Sequence, residues 1–568
     1  MMIKTKIDKL FEMQEKAITL KNAIELTDIS KKELEDILEA LENVGAIELY
    51  YLPLPFTQPR IKIKPFYYEY EKQKIGKEKE KYEIKSNDGL YKAEISIMES
   101  KDGLTYNIDY PIPGPLTSQY LNAIADKIFA TLPAETFLIS EEERKQKLYE
   151  KQVEEALKFF KDITYNEEDA LLLAGILKSQ SFGIGKIDYI LADPEIEEVV
   201  INNAFTPLIV YHRRYGWLKT NIKIGSEEEI VNISSKIARR SGRQITILTP
   251  LLDAHLIKGE RVNATLYPIS IRGNTITIRK FSEEPYTIPF LIKNGTLNVD
   301  MASLLWRAIE LEMNMLIIGG TATGKTTLLN ALLMLINNKQ RLITIEDTKE
   351  LNLPETFENY VSLLTREPNP EGLGQVTLLD LMINALRMRP DRIIVGEIRR
   401  KEEAIVLFEA MHTGHSVYST FHADTAYIAV KRLTEEPIAL PYQELEVLDF
   451  FVTLRRDKKT GLRRIFEIGQ FLSKEASTVT ERVYVHRART DTFDYLGLPV
   501  KYIEKIALYT GMTNEEIEED IKQKSEILKY AVKHNFISPL AFSNFIQNYY
   551  EDNTFYDKIK KGLIKVRK

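Results

Sequence analysis

Eight consecutive residues, Gly319-Gly320-Thr321-Ala322-Thr323-Gly324-Lys325-Thr326, have the types and the order needed to hold a run of phosphates. Glycines let backbone N–H groups wrap an anion, and a helix that starts there presents its positive end to it. Lys325 would then contact the β and γ phosphates, Thr326 would ligate Mg2+, and Thr327 follows in the first helical turn. Apolar Met315-Leu316-Ile317-Ile318 predicts a strand leading in, and Thr327-Leu328-Leu329-Asn330-Ala331-Leu332-Leu333 predicts a helix leading out. A glycine-rich turn that binds nothing has no need of this complete order of strand, loop, Lys-Thr pair and helix.

Hydrolysis also needs acidic groups, and these must arrive from neighbouring strands. Arg392-Ile393-Ile394-Val395 reads as a short apolar strand ending in Gly396-Glu397, where an acid would order the metal or its water. Leu342-Ile343-Thr344-Ile345 ends in Glu346-Asp347, and Ser416-Val417-Tyr418-Ser419-Thr420 ends beside His422. In open parallel α/β sheets, ligands collect beyond the carboxyl ends of the strands. One such end alone is as readily a solvated strand terminus; together with the glycine loop they converge on one site.

These strand ends predict an α/β fold for the segment that carries them. Upstream, Ile187 to Phe281 mixes helix and strand, and Glu283-Glu284-Pro285-Tyr286-Thr287-Ile288-Pro289 breaks the pattern, which predicts a hinge at the two prolines. Alternating segments such as Tyr91-Lys92-Ala93-Glu94-Ile95-Ser96-Ile97 predict strands between Ile61 and Pro115, and the Lys/Glu run from Lys72 to Lys85 reads as a solvated hairpin or loop. A helical stretch follows from about residue 116 to 180. The first fifty residues read as helices and a short strand, with Ser30 and Glu33 at capping-box spacing and Leu34, Ile37, Leu38 and Leu41 on one face. That order resembles a winged helix. Its acidic third helix, with Glu33, Glu35, Asp36, Glu39 and Glu42, favours protein docking over DNA reading. After residue 500 the pattern is helical, with a second capping box at Thr513 and Glu516 and aromatic positions that suit packing.

Composition narrows the function further. The 568 residues are 44% hydrophobic and 28% charged, a folded rather than disordered balance. Lysine and arginine total 77 against 83 for aspartate and glutamate, a net charge of −6, so no polyanion partner is written into the bulk charge. With no cysteine and 7 scattered histidines, disulfide frameworks and thiol chemistry are excluded and no metal beyond Mg2+ is expected. No stretch approaches the roughly 18 consecutive apolar residues of a membrane span, so the expectation is a cytoplasmic chain, at most peripheral to a membrane.

The motifs as a set resemble the type II/type IV secretion ATPases, in particular the branch of archaeal pilus and archaellum assembly ATPases. Thr344-Ile345-Glu346-Asp347-Thr348-Lys349-Glu350-Leu351 looks like that family's Asp box. Arg387-Met388-Arg389-Pro390-Asp391 followed by Ile394-Val395-Gly396-Glu397-Ile398-Arg399 looks like its Walker B region, and Thr413-Gly414-His415-Ser416 through Phe421-His422-Ala423 like its His box. Arg400-Lys401 departs from the glycine that many members have after Arg399. Upstream, Asp193-Pro194-Glu195-Ile196-Glu197-Glu198, Val210 to Gly216, Arg261-Val262-Asn263-Ala264-Thr265 and Thr277-Ile278-Arg279-Lys280-Phe281 are similar to its N-terminal α/β domain.

The resemblance covers about residues 170–500 and implies there an N-terminal α/β ATPase lobe (181–284), a hinge (285–296) and a RecA-like P-loop ATPase lobe (297–500); the residue patterns add a winged-helix-like docking module (1–60), a strand segment and helical linker (61–180) and a helical tail (501–568). The resemblance also implies ATP and Mg2+ bound between two lobes, six identical subunits in a ring, a polytopic membrane platform protein as partner, and no nucleic acid. Glu346 then orients the attacking water, Glu397 stands on the Mg2+ side with Thr326, and Arg261 and Arg279 add positive charge, with Arg243 and Arg272 in reserve. His422 would sense the γ phosphate, while His412 and His415 shape the loop. His212, His255, His486 and His534 are expected to be structural or at the surface. The rival from another class is a RecA-type nucleic-acid translocase, which the acidic third helix and the His box oppose.

Overall fold

The computed structural model describes residues 2–563 apart from 14–16, 51–58, 65–75, 87–88, 102, 132–153, 155, 159, 257–258, 281–284, 367, 369–371, 458–459 and 472–479. The chain is mixed α/β and divides into two compact units, Met1–Phe281 and Ser282–Lys568. The expected break at Glu283-Glu284 lies outside the described residues.

The second unit holds a nine-stranded sheet ordered Tyr360–Leu364, Leu342–Glu346, Arg392–Glu397, Ser416–Phe421, Met315–Gly319, Phe450–Arg456, Arg463–Phe471, Thr480–Arg487, Thr492–Tyr495. Neighbours from Tyr360–Leu364 to Phe450–Arg456 pair in parallel, and the remaining strands pair antiparallel. Side chains alternate across a strand, so Met315 and Ile317 enter one core while Leu316 and Ile318 enter the other. Helices cover both faces, which is why these strands read as unbroken apolar runs.

One core holds Trp306 of the helix Val299–Glu310, Leu328 and Leu332 of Lys325–Leu333, and Ile527 and Phe545 of the C-terminal helices Asn514–Lys533 and Pro539–Glu551. The other holds Met382, Phe408 and Ala429 from the helices Leu378–Ala385, Lys401–His412 and Ala426–Thr434. The tail is thus packed onto the face that carries the glycine-loop helix. Tyr550 accepts a hydrogen bond from Trp306 Nε1 at 3.0 Å and donates to Leu335 O at 2.7 Å, just past the end of that helix.

One of the two prolines of the expected hinge also starts a helix. Pro289 sits in the first turn of the helix Ile288–Lys293, whose N-cap Thr287 accepts from Phe290 N. A first-turn residue has no intrahelical N–H bond to lose, so proline initiates rather than interrupts there.

The first unit is built on another nine-stranded sheet, ordered Leu251–His255, Arg261–Thr265, Thr275–Arg279, Ile196–Ile201, Ile209–His212, Gly216–Thr220, Gly103–Asp109, Lys92–Ser100, Lys77–Lys85. Strands from before and after residue 180 share this sheet, so no boundary falls there. Gly103–Asp109 pairs in parallel with Gly216–Thr220, and the Tyr82 and Tyr106 hydroxyls both donate to the buried Asp193 carboxylate at 2.8 Å. A buried carboxylate needs such donors, and they come from the earlier segment. The described part of the Lys/Glu run forms the strand Lys77–Lys85, at the edge of this sheet among the described residues, where its charges discourage further pairing. Near the N-terminus, Ser30 caps Lys31–Asn43 by accepting from Glu33 N, and that helix buries Leu34, Ile37, Leu38 and Leu41. A three-stranded sheet of Ile18–Thr19, Arg60–Ile63 and Ile47–Tyr50 accompanies it.

Candidate functional site

The glycine loop leaves the strand Met315–Gly319 and enters the helix Lys325–Leu333 through Gly324, whose φ of +94° suits glycine. A Cβ on Gly319 would stand 2.9 Å from Leu454 O, too close for any other residue without movement. Ala322 is also left-handed, at φ +58°, a conformation that costs a non-glycine residue about 1–2 kcal/mol. Thr323 Oγ1 braces the turn by donating to Gly320 O at 2.9 Å.

Lys325 is buried and folded back on its own loop, Nζ donating to Gly319 O at 3.0 Å and Gly320 O at 2.9 Å. Burial lowers the pKa of its ammonium, with Glu397 and Glu350 opposing. Both acceptors are neutral carbonyls. A phosphate oxygen makes a stronger, charge-assisted partner, so the ammonium is poised to move outward. Thr326 and Thr327 occupy the same first turn, and Thr321 is exposed on the loop.

Three strand ends bring the remaining groups to this loop. Glu346 closes the strand Leu342–Glu346 and is only 2% exposed. Its Oε1 accepts from Glu350 N at 2.9 Å and Leu351 N at 3.0 Å, whereas Oε2 is buried with no partner among the described residues. Burial pushes this carboxyl up to about 8 despite those two N–H groups. Gly396 leaves it room, since a Cβ there would lie 3.2 Å from Glu346 Cγ.

Glu397 ends Arg392–Glu397 after a bulge between Val395 and Glu397, which re-aims the side chain. Its Oε2 accepts from Arg399 Nε at 3.0 Å and Nη2 at 2.6 Å. Its Oε1 lies 3.3 Å from His422 Nε2, and that nitrogen is 3.4 Å from Lys325 Nζ. Burial and the Lys325 charge lower the His422 pKa, against the pull of Glu397. Lys325, His422 and Glu397 therefore form one contiguous row, with the orphaned Glu346 oxygen in the neighbouring strand end.

Arg261 and Arg279 belong to the other unit, directly opposite one another on adjacent strands. Arg261 Nη2 pairs with Asp253 Oδ2 at 2.9 Å, and Arg279 stands opposite Glu198. Arg243 follows the left-handed Gly242, and Arg272 is exposed. His412 meets Glu444 at 2.8 Å and His415 meets Thr413 at 3.1 Å. His212 is fully buried, His255 ends a strand, His486 bonds Asp491 and His534 stacks on Tyr530.

The geometry adds residues that the motifs do not name. Asp424 Oδ1 lies 3.3 Å from where a Cβ on Gly320 would be. Arg432 donates to His422 O, and Arg463 Nε donates to Ala322 O at 3.0 Å. The only local signal for Arg463 is the pair of double arginines, Arg455-Arg456 and Arg463-Arg464, on either side of a turn. Its proximity to the loop follows from the parallel pairing of Phe450–Arg456 with Met315–Gly319.

The residues fit a nucleotide with Mg2+: the glycine cradle excludes side chains, and Glu346 Oε2 and Glu397 Oε1 are buried polar atoms with no hydrogen-bond donor among the described residues. A sequence profile of the type II/IV secretion system protein family matches residues 225–441. An uncharacterized protein of Methanocaldococcus jannaschii is 34% identical over 398 residues, 68% of this chain and 71% of that protein. The type IV secretion system protein VirB11 of Bartonella quintana is 31% identical over 284 residues, 44% of this chain and 78% of that protein. A solved structure, the VirB11 ATPase of the Brucella suis type IV secretion system with sulphate, is 27% identical, with 50% of this chain and 92% of that chain covered and a TM-score of 0.26.

Proposed function

Since the chain belongs to the type II/IV secretion system protein family, we propose that it is a hexameric ATPase that powers a type IV pilus, archaellum or type II-like secretion machine. It works at the cytoplasmic face of the membrane, against a polytopic platform protein. The observation that carries the ATPase reading is the row Lys325, His422 and Glu397 beside a buried Glu346 oxygen without a partner.

In this reading Lys325 leaves the Gly319 and Gly320 carbonyls for the β and γ phosphates. Glu346, pinned through Oε1 by two backbone N–H groups, presents Oε2 to the attacking water and accepts its proton when ionised. Thr326 and Glu397 would hold Mg2+, which when bound neutralises phosphate charge. Arg399 grips the other oxygen of Glu397 and keeps its carboxylate oriented. His422, its pKa lowered, is neutral near pH 7 and can donate to a γ-phosphate oxygen.

The parallel order around Met315–Gly319 supports a RecA-like lobe over residues 297–500. Arg261 and Arg279 complete the positive charge from the N-terminal lobe when the lobes close on ATP, and phosphate loss releases them. Residues 1–60 form a winged-helix-like module that transmits this movement to the membrane machine. Among the described residues no helix is long and apolar enough to cross a membrane.

The test is ATP hydrolysis by the purified chain with and without Mg2+, and with added single- or double-stranded DNA. Mg2+-dependent turnover that Lys325→Ala abolishes and DNA leaves unchanged is expected. DNA binding with a steep salt dependence, together with DNA-stimulated turnover, would overturn the assembly-motor reading.

A further inference from the structure

The hairpin of Phe450–Arg456 and Arg463–Phe471 sets arginines directly opposite one another, Arg455 against Arg464 and Arg456 against Arg463. Like charges in that position destabilise a sheet unless something compensates them. Arg464 is compensated by a two-pronged bond to Asp491, Nε to Oδ1 and Nη2 to Oδ2, each 2.9 Å. Arg455 stacks over the Phe466 ring, its guanidinium carbon 3.4 Å from the centroid. Arg463 differs. Its Nε donates to Ala322 O at 3.0 Å, and its two terminal nitrogens have no partner among the described residues.

That single bond fixes where the free charge sits. Ala322 is the left-handed residue of the glycine loop, and a Cβ on Gly324 would lie 3.4 Å from Arg463 Cδ. The guanidinium is thus held against the loop whose N–H groups would wrap phosphates, with its remaining donors uncommitted. We propose that Arg463 is a further phosphate-binding residue of the nucleotide site, its Nε holding the Ala322 carbonyl while its terminal nitrogens take phosphate oxygen. This deepens the ATPase reading and rests on it.

Two consequences distinguish Arg463 from Arg261 and Arg279. It lies in the same compact unit as Lys325, on a hairpin whose first strand is hydrogen-bonded to the loop's own strand. It therefore acts on bound nucleotide before any closure, in the ground state, so its loss weakens binding rather than turnover alone. When Lys325 moves to phosphate, the loop gives up the Nζ bonds to Gly319 O and Gly320 O, while the Arg463 bond comes from outside the loop and persists.

The experiment compares ATP and ADP affinity of the full chain with that of Arg463→Ala, Arg463→Lys and a charge control, Arg455→Ala, alongside the ligand-free melting temperature of each. Arg463→Ala is expected to weaken both nucleotides about tenfold or more with an unchanged ligand-free melting temperature. Arg463→Lys should recover part of the loss, keeping the charge without the fork, and Arg455→Ala should stay close to wild type. Wild-type affinity in Arg463→Ala overturns the proposal. So does a loss matched by a fall in ligand-free melting temperature that Arg463→Lys leaves unrepaired, since that marks a brace for the loop and nothing more. Should Arg463→Ala not fold, Arg463→Lys decides alone: full wild-type affinity for both nucleotides would exclude the two-pronged contact. If the wild-type chain binds neither nucleotide, it is the ATPase reading that fails.

Discussion

Each unit is built on a nine-stranded sheet, yet the two expose their residues in opposite ways. In the second unit, Met315–Gly319, Leu342–Glu346 and Ser416–Phe421 are buried at every position. Polar chemistry is left to the strand ends, where Glu346 and His422 stand, and burial there moves the Glu346 carboxyl to about 8. In the first unit, Leu251–His255 and Arg261–Thr265 alternate exposed with buried residues, so charged side chains lie along a face. A sheet covered on both sides concentrates strained, desolvated groups at one rim. A sheet open on one side displays charges that can be presented to something else.

Substitutions at the two sheets should therefore fail in different ways. Lys325→Ala is expected to remove nucleotide binding outright, because the ammonium meets phosphate in the ground state. Glu397→Gln should still bind ATP but turn over very slowly; measuring affinity and kcat separately checks both, and equal loss of affinity in the two variants would break the assignment. Arg261→Ala and Arg279→Ala should keep most ATP affinity and lose about 10³ in kcat, the scale of an arginine finger. A large affinity loss instead would make the open face a ground-state binding surface.

The next effect is on pH. Below about pH 8, kcat/KM should fall about tenfold per pH unit, because Glu346 must be ionised to accept a proton and its buried carboxyl holds one up to about 8. The same profile is expected in Arg261→Ala, whose charge lies in the other sheet. For stability the sign is opposite. Glu346 has a folded pKa above its ordinary 4.5, so its contribution is fully present in acid and is lost as pH rises toward about 8. Glu346→Gln should flatten that decline in a melting-temperature series of the nucleotide-free chain.

The smallest expected effect tests the buried sheet from behind. Tyr550→Phe removes the hydroxyl that joins Trp306 Nε1 to Leu335 O, leaving two buried polar groups unsatisfied. A loss of about 1–3 kcal/mol in chemical denaturation is expected, with nucleotide affinity little changed.

Much of the site was legible in the chain because its parts are local. Eight contiguous residues carry the loop, and each acid follows directly on an apolar strand. Pro289 carries a second local meaning: a proline in a helix's first turn gives up nothing, and Thr287 caps that helix. The described part of the Lys/Glu run is a largely exposed arm of an antiparallel hairpin, as its charges lead one to expect, and its partner Lys92–Ser100 gives the alternation a meaning.

By itself, then, the order of amino acids determined the glycine loop, the apolar strands and the acids at their ends, since turn chemistry and side-chain alternation act over a few residues. Tertiary structure alone decided which groups meet. Lys325 and His422 are 97 positions apart, and Ala322 and Arg463 are 141. Their contacts exist because parallel pairing sets Ser416–Phe421 and Phe450–Arg456 on either side of Met315–Gly319. The raised pKa of Glu346 has the same origin: desolvation depends on the packed core around a carboxylate, which no local pattern encodes.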